Sequence, residues 1–238
     1  MENNNKSIAY GVILGLSLII ASAIVARTFL DVKKLDNVLT VSGSAKQKVT
    51  ADSARWTANF SRSVFKDQLK DGYASMKNDE KVVNAFFVEK GFKDIEISPV
   101  FMNEIWKNDQ NAPKEYNLVQ NVQIKSDDVL KMKEIAKSSD QLAAKGIIFS
   151  ANPVEYYYSK LPELRVSLLP EAIKDAKNRA QAIAESSDRG VDAIKSVSMG
   201  VVQVMPVGSI DVSDYGSYDT SSIDKEVMIT VKTVFGLK

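Results

Sequence analysis

The amino-acid sequence predicts an α+β fold: a mixed or antiparallel sheet of hairpins with helices packed on one face, preceded by one N-terminal transmembrane helix. Three observations carry that prediction. Residues 8–26 hold no charge and consist almost wholly of Ile, Leu, Val, Ala, Gly and Ser. Ala54, Trp56, Ala58 and Phe60 alternate with Arg55, Thr57, Asn59 and Ser61, the period of a strand with one buried face. Ala172, Ala176, Ala180 and Ala184 recur every four residues and so line one side of a helix.

After a tail of residues 1–7, the stretch 8–26 approaches the ~20 residues that a helix needs to span a ~30 Å hydrocarbon layer. Lys6 in front of it and Ala21-Ser22-Ala23 within it also suit a cleaved signal peptide. The apolar length exceeds the ~7–15 residues of a usual signal core, which favours an uncleaved anchor. Arg27, Lys33 and Lys34 follow the span, so loop charge alone would hold the remainder in the cytoplasm. That rule is weak where a long domain follows, because such domains cross regardless of charge.

Residues 27–37 are read as a linker and residues 38–238 as one soluble domain, with no break in composition. Within it, residues 38–49 are expected to form a hairpin with the strand at 54–60, Gly43 serving as a bulge. Leu69, Tyr73, Met76, Val83 and Phe87 fall on one side of a helix that Gly91 would stop. Strands at 95–106 and 116–125 flank the turn formers of residues 108–113 and make a hairpin. Asp127 or Asp128 caps a second helix ending near Gly146. Residues 147–158 read as a strand, which Pro153 confines to an edge or a bulge. Past Pro162 and Pro170, the strongest helix runs over 171–187, its alanine stripe beside Ile173 and Ile183 thin enough for a sheet to approach closely. Strands at 191–204 and 226–235 close the chain, the second with Val227, Ile229, Val231 and Phe235 on one side, around a loop at 205–225 rich in Gly, Ser, Asp and Tyr.

Composition narrows the chemistry. The 238 residues are 45% hydrophobic and 26% charged, enough apolar content for a sizeable core. With 31 basic against 30 acidic side chains there is no long-range field for a polyanion, so no nucleic-acid partner is expected. Zero cysteines exclude disulfides, thiolate nucleophiles and iron–sulfur clusters. Zero histidines remove the usual proton-transfer group near neutral pH and the commonest transition-metal ligand.

The remaining candidates each have a plainer reading. Asp211, Asp214, Asp219 and Asp224 could gather around a hard cation, yet they lack the spacing of a calcium loop and suit a solvated hairpin. Tyr156, Tyr157 and Tyr158 would point to alternate faces of a strand and serve packing rather than a stacking platform. Ser159 beside Lys160 has the residue types of a nucleophilic dyad, but adjacency in sequence is not contact in space. Asp94 and Glu96 share a strand face as acids that solubility explains. Met76, Met199 and Met228 lie within apolar patterns as packing residues rather than oxidant scavengers. No phosphate-binding or dinucleotide motif is present, and no catalytic, cofactor-binding or metal-ligating residue is assigned.

Several segments together resemble the SIMPL domain family, which includes bacterial periplasmic antigens and oxidative-stress-related envelope proteins. They are Leu39-Thr40-Val41-Ser42-Gly43-Ser44-Ala45, Thr50-Ala51-Asp52-Ser53-Ala54, Ile147-Ile148-Phe149 and the helix Glu171-Ala172-Ile173-Lys174-Asp175-Ala176-Lys177-Asn178-Arg179-Ala180. The chain departs from the family pattern at Ala51-Asp52, where many members carry Pro-Asp. The resemblance implies an extracytoplasmic α/β domain without established catalytic residues, some of whose relatives form ring-like or channel-like homo-oligomers. The expectation is therefore a non-enzymatic, single-pass protein of a bacterial inner membrane, anchored in lipid through residues 8–26. Its periplasmic domain would self-associate through strand edges or the tyrosine segment, with a link to envelope or oxidative stress. Two other readings stay open: a cleft-based enzyme or ligand carrier using Asp, Glu and Tyr, and a cytosol-facing adaptor.

Overall fold

Residues 2–34, 37–109, 112–210 and 213–238 are described by the structure, a computed structural model. The first element, α1 (Glu2–Lys34), is one helix that continues past the expected anchor into the stretch read as a linker. Its segment Ile13–Leu30 has a mean hydropathy of 2.1 with none of it buried, and is long and apolar enough to cross a membrane. The hydroxyls of Ser17, Ser22 and Thr28 donate to the carbonyls of Leu14, Ile19 and Ile24 at 2.9 Å, which satisfies them without water.

Two long strands follow, β1 (Val38–Thr50) and β2 (Ser53–Phe65), then α2 (Leu69–Glu89), β3 (Asp94–Ile97), β4 (Phe101–Ile105) and β5 (Glu115–Ser126). Next come α3 (Val129–Lys137), α4 (Asp140–Ala144), β6 (Ile148–Ala151), β7 (Glu155–Tyr157) and α5 (Leu161–Glu185). The chain ends with β8 (Val191–Pro206), β9 (Ser217–Tyr218) and β10 (Asp224–Leu237). One sheet has the order β1-β10-β8-β9, its β8/β9 pair parallel. The other has the order β3-β5-β2-β6, with β4 added on β5 and β7 on β2, all antiparallel. The predicted mixed α+β architecture is what forms.

The expected hairpin of residues 38–49 with 54–60 does not form: β1 and β2 belong to different sheets. Both strands alternate, but alternation specifies a buried face, not a partner.

The backbone divides into two compact units. The first takes residues up to Ala45 with Leu168–Gly200 and Ile229–Lys238. In it the alanine stripe behaves as expected: Ala172, Ala176 and Ala180 are 0% exposed. Gly43 faces that stripe so closely that a Cβ would lie 2.3 Å from both the Ala172 carbonyl oxygen and the Ala176 nitrogen. It sits within an unbroken strand and admits the helix, a different role from the expected bulge. Asp175 accepts the Ser44 N–H at 2.9 Å and pairs with Arg179 at 2.9 Å. Ile183 and Met199, read as packing residues, are 48% and 46% exposed.

The helix carrying the stripe starts ten residues earlier than expected and contains Pro170. Leu164 and Leu168 are buried and extend the four-residue spacing back from Ala172. Each buried Leu contributes ~1.5–3 kcal/mol, which offsets the ~3 kcal/mol cost of an internal proline. Pro162 falls in the first turn, where no N–H is needed.

The second unit comprises Lys46–Ser167 and Val201–Met228. Its core is a layer of α2, α3 and α4 on one face of β2 and β5, built on Trp56, Phe60, Met76, Phe87, Leu118, Ile124, Met132 and Leu142. Trp56 meets Phe87 edge-on, ring centres 5.8 Å apart, and donates its indole N–H to the Asn152 carbonyl at 2.8 Å. Tyr73 faces solvent instead of this core. At the end of α2, Gly91 adopts φ +80° and donates to Val88 O while Phe92 donates to Phe87 O, the paired bonds of a glycine stop. Asp128, not Asp127, caps α3 by accepting the Lys131 N–H at 2.9 Å. The helix expected to reach Gly146 breaks at Ser138-Ser139 into α3 and α4.

Both expected long strands on this sheet are also split. Ile97 lies opposite Val122 and Phe101 opposite Val119, so β3 and β4 are separated by a bulge around Pro99. Ala151 lies opposite Ala58 and Glu155 opposite Arg55, giving a second bulge between β6 and β7 around Pro153, as that proline predicted. Trp106, assigned to the end of the first of these strands, lies beyond β4 and is 92% exposed.

Candidate functional site

Within the second unit, charged and aromatic groups converge where β7, the start of β2 and the chain between β8 and β10 meet. Strand pairing sets Glu155 opposite Arg55 and Tyr157 opposite Ser53. Arg55 donates through Nε to Glu155 at 2.7 Å and through Nη2 to the Tyr157 hydroxyl at 2.8 Å. The same hydroxyl donates to Glu155 at 3.0 Å. The guanidinium therefore holds the Glu155 carboxyl below its ordinary range. Burial, aided by the Glu155 carboxylate, pushes the Tyr157 phenol up and keeps it protonated.

Tyr218 stacks at 5.9 Å from Tyr157 and accepts the Tyr158 N–H at 2.9 Å. Beside it Asp219 receives the Ser221 N–H at 2.9 Å and both the Ser221 and Ser222 hydroxyls. Lys225, with a fully buried side chain, bonds the Asp219 backbone carbonyl and lies 3.4 Å from its carboxylate. Burial alone would raise the Asp219 carboxyl, yet the serine donors and the Lys225 charge hold it well below the usual range. Burial draws the Lys225 amine down against the pull of Asp219.

This arrangement is a clamp. Its donors and acceptors are spent on one another, and the amine that could act as a nucleophile is sealed from solvent. The adjoining cleft of about 330 Å³ is lined by Val204, Met205, Pro206, Ser213, Tyr218 and Asp219. Other clefts of about 300, 320 and 370 Å³ are of similar size. On their walls Arg62 is paired with Asp79 and Glu104 with Lys114.

The sequence candidates are dispersed. Of the loop carboxylates, Asp211 lies outside the described residues, Asp214 is exposed and Asp224 accepts from Thr50 at 3.0 Å. Among the described residues, no three acidic, histidine or cysteine side chains gather as a metal site. Tyr156 is buried in the core while Tyr157 joins the clamp, as alternation requires. Ser159 donates its N–H and Oγ to Asp52 at 2.7 and 2.8 Å, away from a dyad with Lys160. Asp94 is exposed, and Glu96 takes Gln123 at 2.9 Å and Lys125 at 3.6 Å. Sequence reasoning missed Arg55, Glu155 and Lys225. For Lys225 the signal was present: it shares the odd-numbered parity of Val227, Ile229 and Val231, so the inward pattern extends back to it.

No curated protein matches the chain. Residues 39–235, from the second residue of β1 into β10, match a family known by its domain, described as a protein of unknown function (DUF541). The uninterrupted match across both sheets and all the helices beyond α1 means that the chain belongs to the SIMPL family.

Proposed function

We propose that this chain is a membrane-anchored envelope protein without catalytic activity, whose SIMPL domain self-associates edge to edge through β8. The family and the apolar helix fit a membrane-anchored envelope protein. The observation that carries self-association is the outer edge of β8. Its neighbour β9 pairs with it only at Gln203 and Val204, which leaves Val191 to Val202 without a strand on that side among the described residues. Val197, Met199 and Val201 on this length are 42%, 46% and 40% exposed. The other sheet blunts its edges with proline bulges, the usual protection against pairing, whereas residues 191–202 contain no proline. The tyrosine segment is a poorer interface, because its groups are engaged in the core and the clamp. In the anchor, Gly11 and Gly15 stand one turn apart with open space around both, a spacing that lets membrane helices approach closely.

Support for the absence of catalysis is the lack of His and Cys together with the sealed Lys225 and the engaged phenol of Tyr157. A periplasmic domain on a bacterial inner membrane and a role under envelope or oxidative stress complete the reading, carried by the family resemblance. Size-exclusion chromatography with light scattering on the full chain in detergent tests the assembly. The parent elutes as a multimer, and Val197→Lys with Met199→Lys yields a folded monomer. A parent that stays monomeric at high concentration, or a multimer indifferent to both lysines, removes β8 from the account.

A further inference from the structure

The geometry points to a binding face for a neutral glycan strand on the outer side of the sheet formed by β2 and β5. Helices α2, α3 and α4 pack on the other side, so alternation turns Thr57, Asn59 and Ser61 of β2 and Asn117, Asn121 and Gln123 of β5 outward, where all six are partly or fully exposed. Thr57 lies opposite Gln123 and Asn59 opposite Asn121, which makes a two-strand row of amides and hydroxyls. The side chains of Asn59, Ser61, Asn117 and Asn121 have no hydrogen-bond partner among the described residues, in contrast to the spent groups of the clamp. Each amide offers both donors and acceptors, the pairing that adjacent sugar hydroxyls or acetamido groups need.

Charge and shape select among ligands. The charges bordering the row are neutralised, Arg55 by Glu155 and Lys125 by Glu96, so the face offers no field to a nucleic acid, an acidic polysaccharide or an anionic lipid. Its amide and hydroxyl surface gives an apolar partner little to bury. At one end Phe101, 53% exposed, lies opposite Val119. This ring supplies a flat apolar platform for the C–H face of a sugar ring. Ser53 to Ser61 spans about 27 Å along β2, room for several sugar units of an extended chain. This inference is independent of β8 self-association, since it uses a different sheet.

The test presents the full chain, in nanodiscs or a detergent without sugar headgroups, to insoluble chitin and cellulose, with dextran sulfate as a polyanion. Retention on chitin or cellulose that survives high salt is expected, and chitohexaose titration gives a Kd that weakens about tenfold or more in Asn59→Ala/Asn121→Ala. Gln123→Ala provides a second, milder variant, and each variant must keep the parent's circular dichroism and melting midpoint. The Val197→Lys chain still binds, which separates this face from the β8 edge. Failure to bind either neutral polymer, binding only to dextran sulfate, or affinity unchanged in all folded face variants overturns the proposal.

Discussion

Replacing Gly43 with alanine is the sharpest test of how β1 accepts α5. The added Cβ would lie 2.3 Å from the Ala172 oxygen and the Ala176 nitrogen and 2.7 Å from the Ala176 Cα. All three are backbone atoms, so no rotamer change relieves the clash. The helix must retreat by at least about 1 Å, and a gap of that size forfeits up to about half of each dispersion contact it opens. Overfilling a packed site costs about 1–3 kcal/mol. The same retreat stretches the bond from the Ser44 N–H to Asp175, whose carboxyl this N–H and Arg179 hold below its ordinary range. A hydrogen bond to a charged group contributes about 1.5–3 kcal/mol. Gly43→Ala should thus destabilise the fold by about 3–5 kcal/mol and lower the melting midpoint by roughly 10 °C. Gly190→Ala is the control, because its Cβ would meet only the Lys238 Cβ at 3.8 Å. Thermal unfolding of the full chain followed by far-ultraviolet circular dichroism measures both. A Gly43→Ala chain that melts with the Gly190→Ala control refutes the close-packing account.

Two further substitutions probe the second unit. Asp128→Ala removes the N-cap of α3 and should cost ~1 kcal/mol in urea unfolding, whereas Asp127→Ala should change stability by less than ~0.5 kcal/mol. Asp219→Asn leaves the buried Lys225 without its counter-charge and should cost about 3–5 kcal/mol at pH 7. Because the folded Asp219 carboxyl lies below its unfolded value of ~3.9, its contribution is fully present above that value and is lost as pH falls. The gap between parent and Asp219→Asn in urea midpoint should therefore narrow between pH 5 and pH 3; a gap of constant size would show that the carboxylate charge is not what Lys225 requires.

Features legible in the sequence were those with a local cause. The alanine stripe, the Gly91 stop, the acid cap before α3 and the inward series Val227, Ile229, Val231 and Phe235 all follow from the geometry of a single element. Prolines misled where burial outweighed a local penalty: Pro170 lies inside α5 because Leu164 and Leu168 continue the buried stripe on its far side. Pro153 marked its edge bulge correctly, whereas Pro99 divided a strand that otherwise alternates well, since a missing N–H interrupts a ladder at one residue without changing the pattern around it. The clamp was hidden for another reason. Arg55 and Glu155 are a hundred residues apart, and only the register of β7 against β2 makes them neighbours.

The sequence by itself determined which faces are apolar, where most helices and strands lie, that one helix can enter a bilayer, and which chemistries are excluded. Those properties depend on side-chain type and periodicity, which each segment carries alone. The tertiary structure decided which strands pair, that β1 and β2 part into different sheets, that Lys225 is sealed against Asp219, and that among the described residues most of β8 has no strand on its outer side. Such outcomes depend on contacts between distant segments, where many pairings satisfy the same alternation and the packing of the whole chain selects among them.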